Sequence, residues 1–401
     1  MFNKRERFRR TVRPTTKATL LAALLVLAAC GSDDTTAPLT TTGASNTVSA
    51  DSPVATTAPT ADSTLPSTDG STATTHISTE ASGEVGATVP VTMDAVLTTA
   101  FPLSSAFAPE MVGVAGGFFT RNGVEVDLEP GRGSAQALQQ IIAGQVTMTA
   151  AGGTDLGLAV YSQSAPLIAV GTKKHENAFF LISPGDEPIA GPEELRGETV
   201  GVVSVGGTTE QLLHLYLSSG GVDLDEVTRV VVPNTPASVT SAERGQIRAF
   251  IGSVEAVAAI EAEGMNVSLI DLDEVVPTPG QVFLVSKDTA ANDRDTVTAM
   301  LAGFRDVFAF LFEDGADGDW SETIALIKEG YPDVVTDEQV FTDQLNAQYT
   351  AWFGDPAEPI DLTISVERID SLVTLMKAAG LMPDDAQASE LYTNALLPGS
   401  R

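Results

Sequence analysis

Cysteine is almost missing from this chain: there is one, Cys30, in 401 residues. Internal disulfides and thiolate zinc sites are thereby excluded. Histidine is nearly as scarce, with His76, His175 and His214 widely scattered, so no metal site is expected. The third shortage is of basic residues, 22 Lys and Arg against 53 Asp and Glu, for a net charge of −31. Lys4, Arg5, Arg7, Arg9, Arg10, Arg13 and Lys17 are concentrated at the start, so the rest is more acidic than the total implies. Such a chain lacks the basic surface that nucleic-acid phosphates require, and no nucleic-acid partner is expected.

Several catalytic signatures are absent too. Ser204, in Val203-Ser-Val-Gly-Gly, lacks the preceding glycine of a nucleophile elbow. Gly131-Arg-Gly-Ser134 lacks the third glycine of a dinucleotide fingerprint, and there is no P-loop lysine. No cofactor is expected. The acid pairs Asp223/Asp225 and Asp271/Asp273 read as solvated charge in a very acidic protein rather than as dyads.

The apolar run Ala18–Ala29 is too short to span a bilayer comfortably and follows a basic stretch, the pattern of a secretory signal over residues 1–29. It ends in Leu27-Ala-Ala-Cys30-Gly31, which resembles the bacterial lipobox; the resemblance implies that Cys30 is lipidated and becomes the new N-terminus. Residues 31–89 are dominated by Thr, Ser, Ala, Pro, Gly and Asp without one Lys or Arg. They offer too little apolar surface to offset ordering, so residues 30–89 are expected to be a stalk.

Beyond residue 90 the pattern changes. Thr199–Val203 is a β-branched run that meets Gly206-Gly207; Thr208-Thr209 then open a segment with Leu212, Leu213, Leu215 and Leu217, closed by Gly220-Gly221. Strand, tight turn and helix follow from that order. The turn would offer free backbone N–H groups and hydroxyls to a small anionic or polar group. Strands are likewise expected at residues 91–97, 124–128, 146–150, 166–170 and 178–182, then at 227–233, 247–251, 267–270 and 281–286, with helices between. Gly144-Gln-Val-Thr-Met and Gly245-Gln-Ile-Arg-Ala stand at equivalent points of the two series. The alternation predicts two α/β lobes with mostly parallel sheets. Helical periodicity runs through 297–312, 320–328, 337–352, 366–379 and 386–396. Lobe one is assigned residues 90–183 and 278–401, lobe two 184–277, with crossings near Ser183 and Pro277.

Five segments carry a family likeness. They are Gly116-Gly-Phe-Phe-Thr-Arg-Asn-Gly-Val-Glu-Val-Asp127, Ala143-Gly-Gln-Val-Thr-Met148, Leu195-Arg-Gly-Glu-Thr-Val-Gly-Val202, Gly206-Gly-Thr-Thr209 and Gly245-Gln-Ile-Arg-Ala-Phe250. Together they resemble the extracytoplasmic solute-binding proteins of bacterial ABC importers, in the group built for nitrate, sulfonates, taurine and thiamine-precursor pyrimidines. Thr147 and Arg248 stand where that group usually has an acid. The resemblance implies a two-lobed type II periplasmic-binding fold with a helical C-terminal region. It also implies a monomeric, lipid-anchored receptor that closes over a small polar solute and docks on a membrane permease. Carried over loop by loop, the implied ligand-binding residues are Phe101, Gly153, Thr154, Lys173, Gly206, Gly207, Thr208, Thr209, Asn234, Ser253 and Glu255. A rival reading is a surface-tethered enzyme or sensory module on the same scaffold.

Overall fold

A computed structural model describes residues 93–354 and 357–399; the expected signal segment, Cys30 and the stalk lie outside the described residues. The first half runs β1 (Met93–Thr98), α1 (Ala108–Ala115), α2 (Phe118–Arg121), β2 (Val124–Glu129), α3 (Ser134–Ile142), β3 (Met148–Ala151), α4 (Gly153–Ser162) and β4 (Leu167–Glu176). The second runs β5 (Phe179–Pro184), β6 (Thr199–Val202), α5 (Thr208–Ser219), β7 (Thr228–Val231), α6 (Ala237–Glu243), β8 (Ala249–Ser253), α7 (Val254–Ala262), β9 (Val267–Asp271) and α8 (Leu272–Val275). The chain then continues through β10 (Pro279–Ser286) and α9 (Lys287–Asn292) to α10 (Arg294–Asp314), α11 (Ser321–Gly330), α12 (Glu338–Phe353) and α13 (Val366–Ala378).

The strands form two five-stranded sheets of matching plan, β2-β1-β3-β10-β4 and β7-β6-β8-β5-β9. In each, four strands point one way and the fourth in the row runs against both neighbours. That reversed strand arrives from the other half of the chain: β10 enters the first sheet, β5 the second. The expected mixed α/β architecture with two mostly parallel sheets is therefore borne out. Gly144 and Gly245, at φ +68° and +67°, end the helices before β3 and β8, the same point in either sheet.

One boundary needs correcting. The strand expected at residues 178–182 and assigned to lobe one is β5 (Phe179–Pro184) of the second sheet, so the crossing lies at Asn177-Ala178 rather than near Ser183. An apolar strand carries no mark of which sheet it enters. Its partners decide, here β8 and β9, with Leu181 opposite both Ile251 and Ile270. The second crossing, Val276–Thr278, runs beside the first. Asn177 donates through its backbone N–H to Asp273 (2.9 Å) and through Nδ2 to the Val276 carbonyl (3.0 Å). Arg368 grips Asp273 with two parallel bonds (2.8 and 2.9 Å) and the Thr278 carbonyl (2.9 Å).

The helix expected over 386–396 does not form; a single 3-10 turn at Ala388–Glu390 takes its place. Its backbone is used elsewhere. Ala169 of β4 donates to the Leu391 carbonyl and accepts from Thr393, while Thr172 donates to the Leu362 carbonyl. The outer edge of β4 is thus covered by the C-terminal segment, and an open sheet edge is avoided.

Amphipathic spacing places the helices. On α10, Val297, Met300, Leu301, Phe304, Phe308 and Leu311 recur every three or four residues and are buried in the first lobe. A second apolar cluster is not confined to one sheet: Leu156 of α4, Leu212 of α5 and Leu372 and Met376 of α13 share it. In this arrangement the lobes therefore meet on one flank through packed helices, as well as at the two crossings.

Candidate functional site

Between the sheets lies a cavity of about 710 Å³. Its walls come from both halves. The first supplies Phe101, Phe107, Arg132 and Lys174, with Gln281 of β10 and Gln344 of α12. The second supplies Phe179, Thr209, Val231–Thr235, Ser253 and Glu255.

The Phe101 loop is held by a close backbone approach. Thr99 Oγ1 donates to the Phe101 carbonyl (2.5 Å) and accepts from Gly131 N–H (3.0 Å). A Cβ at Gly131 would lie 1.8 Å from the Thr99 carbonyl oxygen, so only glycine fits there. Asn234 and Ser253 are locked together: Asn234 Nδ2 donates to Ser253 Oγ (2.6 Å), and the Ser253 N–H donates to Asn234 Oδ1 (3.1 Å). The Ser253 hydroxyl proton is left to aim elsewhere. Thr209 Oγ1 accepts from Val203 and Ser204 N–H (3.1 and 3.4 Å), which fixes the turn between β6 and α5.

At the far wall, three polar groups form a chain across the lobes. Lys174 Nζ donates to Gln348 Oε1 (2.5 Å), and Gln348 Nε2 donates to Glu255 Oε2 (2.6 Å). Gln348 is fully buried on α12. Burial pushes the Lys174 ammonium down to about 8; Glu255 opposes that shift and neighbouring Lys173 adds to it. The cavity therefore presents a buried amine and a carboxylate joined by an amide, with exposed Arg132 also on its wall.

Of the residues the sequence points to, Phe101, Thr209, Asn234, Ser253 and Glu255 line this cavity, whereas Gly153, Thr154, Lys173, Gly206, Gly207 and Thr208 are placed elsewhere. Lys173 is turned into the first lobe. Its Nζ meets Glu110 Oε1 (2.5 Å) and the Ala106 carbonyl (3.1 Å) and stands 4.8 Å from the Phe107 ring centre. The register of β4 against β10 slips at this point, Gln281 facing Lys174 but Val282 facing Thr172, so Lys173 is the extra residue of a bulge. The Gly206–Thr208 turn is consumed by protein groups: Gly206 N–H donates to Glu210 Oε2 (2.6 Å), and Thr208 N–H to Ser134 Oγ (3.3 Å) of the other lobe. Gly153 packs on Pro279. His175 sits on β4 and His214 on α5, both outside the cavity lining.

Sequence reasoning missed Phe107, Phe179, Gln344 and Gln348. The one available signal was the four-residue spacing of Gln344 and Gln348 along an otherwise apolar face of α12.

Residues 104–316, more than half of the chain, match the family described as NMT1/THI5 like. The chain belongs to that family. Structures with the same fold include the alkanesulfonate-binding protein SsuA from Xanthomonas axonopodis pv. citri bound to MOPS, with a TM-score of 0.58 at 16% identity, covering 76% of this chain and 99% of that one. The periplasmic nitrate-binding protein NrtA from Synechocystis PCC 6803 superimposes with a TM-score of 0.55 at 13% identity, covering 76% and 86%. By sequence, the riboflavin-binding protein RibY of Chloroflexus aurantiacus is 23% identical over 309 residues, 73% of this chain and 83% of that protein. These neighbours show that the NMT1/THI5-like chain has the fold of periplasmic binding proteins. Among the described residues, no helix is long and apolar enough to cross a membrane.

Proposed function

We propose that this protein is the lipid-anchored receptor of an ABC importer, and that it captures a planar, uncharged heterocycle of the flavin or pyrimidine class without altering it. One observation carries the ligand class: the cavity pairs aromatic walls with a donor and an acceptor of opposite charge. Phe101, Phe107 and Phe179 line it, and a flat ring would pack against this aromatic wall. Lys174 can donate to a ring carbonyl while Glu255 accepts from an adjacent N–H, the two halves of a lactam or imide edge. The volume suits a drug-sized organic molecule, since such sites run to roughly 300–1,000 Å³. A nitrate ion would rattle in it.

Anions are disfavoured for two further reasons. Two of the donors at the start of α5, the Gly206 and Thr208 N–H groups, are already taken by Glu210 and Ser134. Glu255 also faces the same space. The name of the relative RibY, a riboflavin-binding protein, points the same way.

A thermal-shift panel of riboflavin, simple pyrimidines, alkanesulfonates and nitrate tests the class. A ligand held at a hundred times its Kd should stabilise the fold by about 2.7 kcal/mol. Riboflavin or a pyrimidine is expected to do so and to be recovered intact by mass spectrometry. Stabilisation by nitrate and sulfonates alone would defeat the heterocycle reading; turnover would defeat the receptor reading. For the anchor, Cys30→Ser is expected to move the protein from the membrane fraction to the soluble fraction. Continued membrane retention of that variant would rule out lipidation at Cys30.

A further inference from the structure

The two glycine turns absent from the cavity wall meet each other. Gly152-Gly153 opens α4 in the first lobe, and Gly206-Gly207 opens α5 in the second. Thr208 Oγ1 donates to Asp155 Oδ2 across the junction (2.5 Å), beside the Thr208 N–H bond to Ser134. Close approach explains the glycines. A Cβ at Gly152 would lie 2.7 Å from Thr208 Cγ2, and one at Gly207 would lie 2.7 Å from Ser134 Oγ. Ser134, Asp155 and Thr208 are all buried, and Thr209, the next residue, lines the cavity.

Asp155 has no countercharge here. Its carboxyl is buried, Oδ2 accepts from Thr208 Oγ1, and Oδ1 has no hydrogen-bond partner within the protein. Charged groups on the elements packed around it are engaged elsewhere. Glu210 of α5 binds Arg229, and Arg368 of α13 binds Asp273. On β4, Lys173 binds Glu110 and Lys174 binds Gln348. Arg132, ahead of α3, is exposed at the cavity, and neither His214 of α5, His175 of β4 nor Lys377 of α13 acts on it.

We propose that Asp155 is a positioning residue for ligand capture: joining α4 to α5 takes its carboxyl from water and captures a proton, so the lobes close more readily in acid. This deepens the receptor reading and rests on it only in taking closure to accompany binding.

The sign follows from burial. In the joined state desolvation raises the Asp155 carboxyl from its ordinary value to about 6. Were the lobes apart, water would return it toward the usual carboxylate range. A group whose value is raised on closure favours closure when protonated, so the advantage is present below about pH 6 and lost as pH rises through it. Between pH 7 and pH 5 the closed-to-open ratio should increase about tenfold.

The test needs no ligand. Spin labels at Glu129→Cys and Asp225→Cys, in a full chain carrying Cys30→Ser, report the interlobe distance at pH 7.5, 6 and 5. The wild-type background should shift toward the short distance as pH falls. Asp155→Asn, which has nothing to titrate, should show one distribution at every pH. Should that variant not fold, Thr208→Val serves instead: the pH shift should persist with a smaller closed fraction throughout. A distance that ignores pH in the wild-type background, or a shift that survives in Asp155→Asn, overturns the proposal. Riboflavin titrated into the same samples keeps the two readings apart: a pH-dependent distance without riboflavin binding would fault the ligand class and leave the role of Asp155 standing.

Discussion

Lys173→Ala should cost the fold about 3–5 kcal/mol, a large share of the roughly 5–15 kcal/mol that holds a domain together. The residue was expected at the ligand, yet its side chain is fully buried and its ammonium is spent on Glu110, the Ala106 carbonyl and the Phe107 ring. Desolvation pulls the ammonium below its ordinary value, and Glu110 opposes that shift by attraction and a hydrogen bond. Taking the lysine away would leave Glu110, also buried, as an uncompensated charge beside apolar Phe107. The cost comes from breaking the pair rather than from what the pair contributes. Replacing both partners, Lys173→Met with Glu110→Leu, should therefore recover most of the loss. Denaturant midpoints of the two single variants and the double variant check this. A Lys173→Ala protein as stable as the parent, but weak in ligand binding, would return Lys173 to the binding site.

Adjacent Lys173 and Lys174 show what a sequence reveals and what it withholds. That cations belong at the end of a first-lobe strand was legible, because lysine is so scarce in the chain after Lys17. Which of the two reaches the cleft was not. The answer hangs on a register slip between β4 and β10, which only strand pairing specifies. The glycine turns were legible as turns, since Gly206 requires positive φ (+74°) and Gly207 precedes a helix. Their free donors suggested a ligand. A single strand-turn-helix cannot tell a ligand from a second lobe as the group that satisfies those donors, and Ser134 and Asp155 lie far away in the chain. The β–α alternation, by contrast, is written in local periodicity, and both sheets follow from it apart from the ownership of β5. The C-terminal stretch 386–396 failed in the opposite sense: its spacing suits a helix, but the unpaired edge of β4 claims its backbone. Gln348 was marked only by its spacing from Gln344, a weak signal because a glutamine on a helix is ordinarily a solvated one. Only the fold places it between Lys174 and Glu255.

Lys174→Met and Glu255→Gln should both weaken heterocycle binding, and the second variant decides between ligand classes by its sign. Losing the Lys174 ammonium removes a charged hydrogen bond to a ring carbonyl and leaves Gln348 Oε1 without its donor. Such losses amount to about 2–3 kcal/mol, or roughly 30- to 150-fold in Kd. A heterocycle and an anion would both suffer, so that variant proves only that the site is engaged. Glu255→Gln keeps the size of the side chain and can still accept from Gln348 Nε2, but it removes the negative charge. A ring N–H that had donated to a carboxylate would then meet a neutral amide oxygen, and affinity for the heterocycle should fall about tenfold. Nitrate or a sulfonate would lose a repulsive neighbour and bind more tightly. Isothermal titration of riboflavin and of an alkanesulfonate into both proteins reads the two signs directly. A tighter sulfonate complex in Glu255→Gln, with riboflavin affinity unmoved, would make Lys174 the anchor of an anion site and refute the donor–acceptor edge.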